Sequence, residues 1–106
     1  ILQPNIFKMK QTTQSTGLTS FHGSTVKATV NEMKEVLGNA MYYGIKDDKV
    51  QHEWEMEDEN GHVFTVYDWK EYRQYSNDDV IEWHIGGHHK SITDNAMYQL
   101  QRMLSK

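Results

Sequence analysis

Polar and hydrophobic positions alternate strictly from Lys49 to Glu57. Val50, His52, Trp54 and Met56 fall on one side, and Gln51, Glu53, Glu55 and Glu57 on the other. A period of two predicts a half-buried antiparallel strand. Asp58-Glu59-Asn60-Gly61 then reads as a hairpin turn, and His62 to Trp69, rich in β-branched and aromatic residues, returns as a second strand. The loop length sets the register. A two-residue Asn60-Gly61 turn pairs Trp54 with Tyr67 and leaves Glu57 opposite Phe64. A three-residue loop with Gly61 in the left-handed position pairs Met56 with Phe64 and Trp54 with Val66. The second collects the apolar groups on one face and is the expected register, because a slip of one residue exchanges the two faces. It turns Thr65, Tyr67 and Trp69 outward beside Glu53, Glu55 and Glu57.

The other elements are shorter. Ser24 to Ala28 is a brief β-like run. Thr29-Val30-Asn31-Glu32 is a capping box that opens a helix over about 30–37, with Val30, Met33 and Leu37 on one stripe and Gly38 as its stop. Residues 39–48 form an aromatic loop. Val80 to Ile85 is a third strong strand, with Ile81, Trp83 and Ile85 on one face, Glu82 and His84 on the other, and Gly86-Gly87 as its breaker. Ser91-Ile92-Thr93-Asp94 reads as the cap of a last helix that ends near Leu104, with Ala96, Met97, Leu100, Met103 and Leu104 facing inward. The order β-α-β-β-β-α predicts an α+β fold: an antiparallel sheet of three to four strands with two helices packed on one face. Residues 1–19, rich in Gln and Thr, read as a polar N-terminal arm, and residues 20–106 as a single α+β domain.

Composition narrows the chemistry. At 106 residues the chain holds one modest core. It has no Cys, which excludes disulfides, thiol nucleophiles and Cys-based zinc sites. The longest apolar runs are a few residues, too short for a membrane span or a signal-peptide core. The net charge of −4 is unevenly distributed: residues 1–30 carry +3, residues 31–85 carry −9 and residues 86–106 carry +2. Basic ends around an acidic middle suit contacts between copies or a basic rim around one site, and they disfavour binding to duplex nucleic acid.

Two regions are candidates for function. The first is the strand-to-helix corner from Glu82 and His84 through Gly86, Gly87, His88, His89 and Lys90. Glycines there admit a ligand close to backbone N–H groups, the following helix presents unpaired donors, and Lys90 adds positive charge, so an anion is the expected guest. A zinc reading of His84, His88 and His89, with Glu82 or Asp68, lacks a spacing that converges the ligands. The second region is the outer sheet face, with Tyr67 and Trp69 beside Glu53, Glu55, Glu82 and His84. Large aromatics turned outward need a partner: a planar ligand, a second copy, or the N-terminal arm lying over them. No P-loop, nucleophile elbow or zincin helix is present, and nothing implies a cofactor. That leans away from an enzyme and leaves His84 open as a general base, oriented by Glu82 or Asp68.

The strand Phe64-Thr65-Val66-Tyr67-Asp68-Trp69-Lys70 together with Glu82-Trp83-His84-Ile85-Gly86-Gly87 resembles a pattern in short, mostly uncharacterised proteins carried by tailed bacteriophages. The run from Gly23 to Gly38 is similar to the same group's opening. The resemblance spans roughly residues 20–104 and transfers no catalytic residues. It implies a viral accessory protein acting in the host cytoplasm. The expected function is therefore non-enzymatic sequestration of a small nucleotide-like anionic host signal by a homodimer or higher oligomer. An acidic inhibitor of a host protein, using Glu53, Glu55, Glu57, Asp58 and Glu59, is the alternative. A nucleotide-processing enzyme using His84 is the third.

Overall fold

A computed structural model describes residues 9–44, 49–71 and 73–105. Residues 1–8 of the arm and residues 45–48 of the aromatic loop lie outside the described residues. The described chain is α+β, in the order β1 (Lys10–Gln11), β2 (Ser20–Thr29), α1 (Val30–Leu37), β3 (Tyr42–Tyr43), β4 (His52–Glu57), β5 (Val63–Tyr67), β6 (Val80–Gly87) and α2 (Lys90–Leu104). One antiparallel sheet runs β1-β4-β5-β6-β2, and β3 also pairs with β4. Both helices pack on one face.

The hairpin has the expected register. Trp54 pairs with Val66 and Met56 with Phe64. Gly61 closes a three-residue loop at φ 80°, and Asp58 N–H donates to the His62 carbonyl at 3.0 Å. Asp58 Oδ1 accepts from the N–H groups of Asn60 and His62, which explains why this acid is buried. Trp54, Met56, Phe64 and Val66 therefore join Ile81, Trp83 and Ile85 beneath the helices. The Thr29 capping box also forms: its hydroxyl accepts from Glu32 N–H at 3.0 Å, and the Glu32 carboxylate accepts from Thr29 N–H at 2.8 Å. Val30, Met33 and Leu37 are the buried stripe of α1.

Three expectations change. Among the described residues the sheet has six strands, because the two-residue β1 and β3 both dock on the outer edge of β4 and satisfy backbone groups there. Segments so short carry no periodicity. Second, Gly86-Gly87 does not break β6. Both glycines stay in the ladder, paired with Phe21 and Ser20 on one side and with Thr65 and Phe64 on the other. Third, α2 starts at Lys90, behind His89, which makes no side-chain cap bond. Asp94 instead accepts from the Ser24 hydroxyl at 2.6 Å and from the Lys90 ammonium at 2.7 Å.

Between β1 and β2 the chain must pass from one edge of the sheet to the other. Four strand spacings make about 19 Å, and the nine steps from Gln11 to Ser20 reach about 30 Å when extended, so the arm can cross with room for the turn that joins Thr19 N–H to the Thr16 carbonyl. It takes the face away from the helices. Thr12 donates to Glu57 Oε1 at 2.6 Å, Gln14 donates to the same oxygen at 3.3 Å, and Thr16 donates to Glu55 Oε2 at 3.2 Å.

Because Gly61 occupies left-handed backbone, Gly61→Ala should destabilise the protein by about 1 kcal/mol in urea denaturation while leaving the β4–β5 register unchanged. An unchanged midpoint would show that the loop does not depend on this conformation.

Candidate functional site

The register aligns the outer face in rows. Glu53 on β4, Tyr67 on β5, His84 on β6 and Thr25 on β2 form one row, and Glu55, Thr65, Gly86 and Phe21 form the next. Gly86 leaves a gap in the second row. A Cβ there would lie 2.7 Å from Thr65 Oγ1 and 3.5 Å from the Tyr67 ring. This gap helps form the floor of a groove of about 300 Å³, lined by Thr16, Thr19 and Ser20 on the arm side and by Glu53, Thr65, Tyr67 and Trp69 on the sheet side. Val50 and Glu53 also line a wider depression of about 660 Å³ with Met41, Tyr42, Lys49 and Glu55. Volumes of this size suit small ligands.

Aromatic rings run across the face. Phe21 stacks on His84 with centroids 4.2 Å apart, His84 lies 5.7 Å from Tyr67, and Tyr67 meets Trp69 edge-on at 6.3 Å. Trp69 keeps 40% of its surface exposed. Its position follows from the turn after β5. Asp68, fully buried, accepts from the N–H groups of Gln51 and His52 at 2.8 and 2.9 Å, and Lys70 N–H, at φ 59°, donates to the Lys49 carbonyl at 2.8 Å. These bonds bring Lys49 and Lys70 to the indole, their ammonium groups 5.9 and 5.5 Å from its centroid. The platform thus has a positive lip.

Its other flank is acidic. Burial and the neighbouring Glu55 carboxyl push Glu53 up to about 7, and burial together with Glu53 raises the Tyr67 hydroxyl. Burial lowers His84, opposed by Glu82, so the imidazole is neutral near pH 7. Hydrogen bonds from Thr12 and Gln14 hold Glu57 below the usual carboxylate range.

Of the residues singled out from sequence, Tyr67, Trp69, His84 and Gly86 share this face. Glu82 lies one row beyond His84, exposed, with the Thr25 hydroxyl at 3.5 Å. Gly87 faces the opposite way, toward Thr93 and Ile92 of α2, and its carbonyl meets His22 Nε2 at 3.0 Å. His88 and His89 are exposed at the turn, and Lys90 is paired with Asp94. Gly86 therefore belongs to the aromatic face, while Gly87 turns to the helix side and the Lys90 charge is engaged by Asp94. Among the described residues no group of three or more His, Asp or Glu could hold a metal ion. None of their helices is long and apolar enough to cross a membrane.

Sequence reasoning missed Lys49 and Lys70, although extending the hairpin register beyond Glu53 and Tyr67 brings both to the same end of the sheet. It missed Phe21 for want of a signal, because the irregularity between Phe21 and Thr25 hides the continuation of β2. Met41, Tyr42 and the arm threonines carry no pattern that joins them to this face.

Two outcomes test the site's construction. Gly86→Ala should cost about 1–3 kcal/mol of stability by overpacking, and adding Thr65→Ala should restore part of it in the same denaturation assay. The raised Glu53 value means that folding disfavours its ionised form. That contribution is fully present below the ordinary value of 4.5 and is lost as pH rises through about 7. Glu53→Gln should therefore raise the melting temperature relative to wild type at pH 8, with the difference shrinking toward pH 4.5; equal curves at both pH values would contradict it. Comparison of the chain with protein-family models finds no match, and comparison with curated proteins finds none that is significant.

Proposed function

We propose that this protein is a non-enzymatic binding module that takes a small, planar, anionic ligand of the nucleotide class on its outer sheet face. The single observation that carries the reading is Trp69: a 40% exposed indole beside Tyr67, with the Lys49 and Lys70 ammonium groups 5.9 and 5.5 Å from its centroid, at the end of a groove of ligand size. A base stacks on such a platform whatever its sequence context, and each stacked ring is worth about 1–3 kcal/mol. The phosphate belongs at the Lys49–Lys70 lip rather than at the Gly87–Lys90 corner, since Asp94 already compensates Lys90. Carboxylates on the far flank orient the anion by repulsion. In the setting that the phage resemblance implies, such a module would sequester a host nucleotide signal. The acidic-inhibitor alternative is weakened because Glu57 and Glu55 are engaged by Thr12, Gln14 and Thr16.

The test is a thermal-shift panel of mononucleotides and cyclic oligonucleotides. A ligand present at a hundredfold its Kd should stabilise the fold by about 2.7 kcal/mol, which is roughly 10 °C or more for a domain of this size. Trp69→Ala should weaken binding about tenfold or more. The reading fails if no nucleotide shifts the melting temperature, or if the Trp69 variant binds as tightly as wild type. Turnover of a bound nucleotide, abolished by His84→Ala, would replace it with the enzymatic alternative.

A further inference from the structure

The polar groups around the platform are not symmetric, and the asymmetry discriminates between bases. A ring stacked on Trp69 lies nearly perpendicular to Tyr67, since the two side chains meet at 82°, and the β4 side of the groove borders it. Glu53 stands there as the cross-strand partner of Tyr67 and lines both parts of the groove. Glu55 follows on the same face, already accepting from the Thr16 hydroxyl. The β4 side of the groove therefore carries two carboxyl groups, with the hydroxyls of Thr16, Thr19 and Ser20 and the Lys49 ammonium as neighbouring side-chain donors.

The geometry points to guanine nucleotides as the ligand, with the Glu53 carboxylate accepting the adjacent N1–H and N2–H donors of the guanine edge while Lys49 and Lys70 hold the phosphate. This rests on the binding reading above and narrows it. A carboxylate has two acceptor oxygens and binds best to two parallel N–H groups. Guanine alone among the common bases has two neighbouring donors on one edge. Adenine sets its N6 donor beside a ring-nitrogen acceptor, cytosine does the same with N4 and N3, and the uracil N3–H lies between two carbonyls. Each of these places an acceptor against a carboxylate oxygen. Burial and a side-chain hydrogen bond with Glu55 raise Glu53 to about 7, so at pH 8 its carboxylate form prevails and two N–H donors would stabilise that charge.

Isothermal titration of the full chain with GMP, AMP, CMP and UMP at pH 8 tests the inference. GMP should bind at least about tenfold more tightly than AMP, in line with the discrimination of a bidentate base contact. Glu53→Gln, whose amide offers one donor and one acceptor, should erase that preference or turn it toward AMP. Trp69→Ala should weaken all four ligands to a similar degree. Four equal affinities would overturn the guanine assignment and leave the groove reading standing. Binding of none would overturn both. A guanine preference that survives in the Gln variant would remove Glu53 as its source.

Discussion

Two tryptophans meet edge to face in the centre of this protein, and the rest of the structure is arranged around them. The rings of Trp54 and Trp83 lie 5.3 Å apart at 82°, and both residues are fully buried. Such a pair gains about 0.5–1.5 kcal/mol beyond the area it buries. Each indole also has an N–H that must find an acceptor when water is excluded. Trp83 Nε1 donates to the Ala28 carbonyl at 2.9 Å, and Trp54 Nε1 donates to the Gly38 carbonyl at 2.8 Å. Those carbonyls stand just before and just after α1. The pair therefore joins β4 to β6 through packing and clamps both ends of the short helix through hydrogen bonds.

The outer face follows from that clamp. With Trp54 and Trp83 inward, the pleat sends Glu53, Tyr67 and His84 the other way, so the row that faces the groove is the complement of the row that fills the core. Gly86 then matters because it lacks a side chain: the close approach of Thr65 and Tyr67 is possible only there. Gly87, one residue on, does the same for Thr93 beneath α2. Adjacent glycines serve opposite faces of one strand, and this is why a segment that reads as a breaker remains in the ladder.

The arm supplies a third wall. Its hydroxyls and amide bind carboxylates that would otherwise repel one another along β4, and its path over the face fences the groove without covering Trp69. The acidic strand thus has two tasks. Glu55 and Glu57 anchor the arm, and Glu53, beyond the described contacts of Thr12, Gln14 and Thr16, faces the groove.

Much of this was legible in the amino-acid order. The alternation around Trp54, the left-handed Gly61, the Thr29–Glu32 box and the stripe of α1 are local patterns, each set by steric or hydrogen-bonding rules acting over a few residues. Together they determined the hairpin register, and so the outward direction of Tyr67. Strands of two residues and a bulged β2 have no such local rule, because their conformation is stabilised by partners distant in the chain. Only the tertiary structure decided that Lys49 and Lys70 both approach one indole, that Phe21 stacks on His84, and that the arm crosses beside them. Those relations depend on which edges pair and which face the chain crosses, and contacts between residues far apart in sequence leave no period for a linear reading to detect.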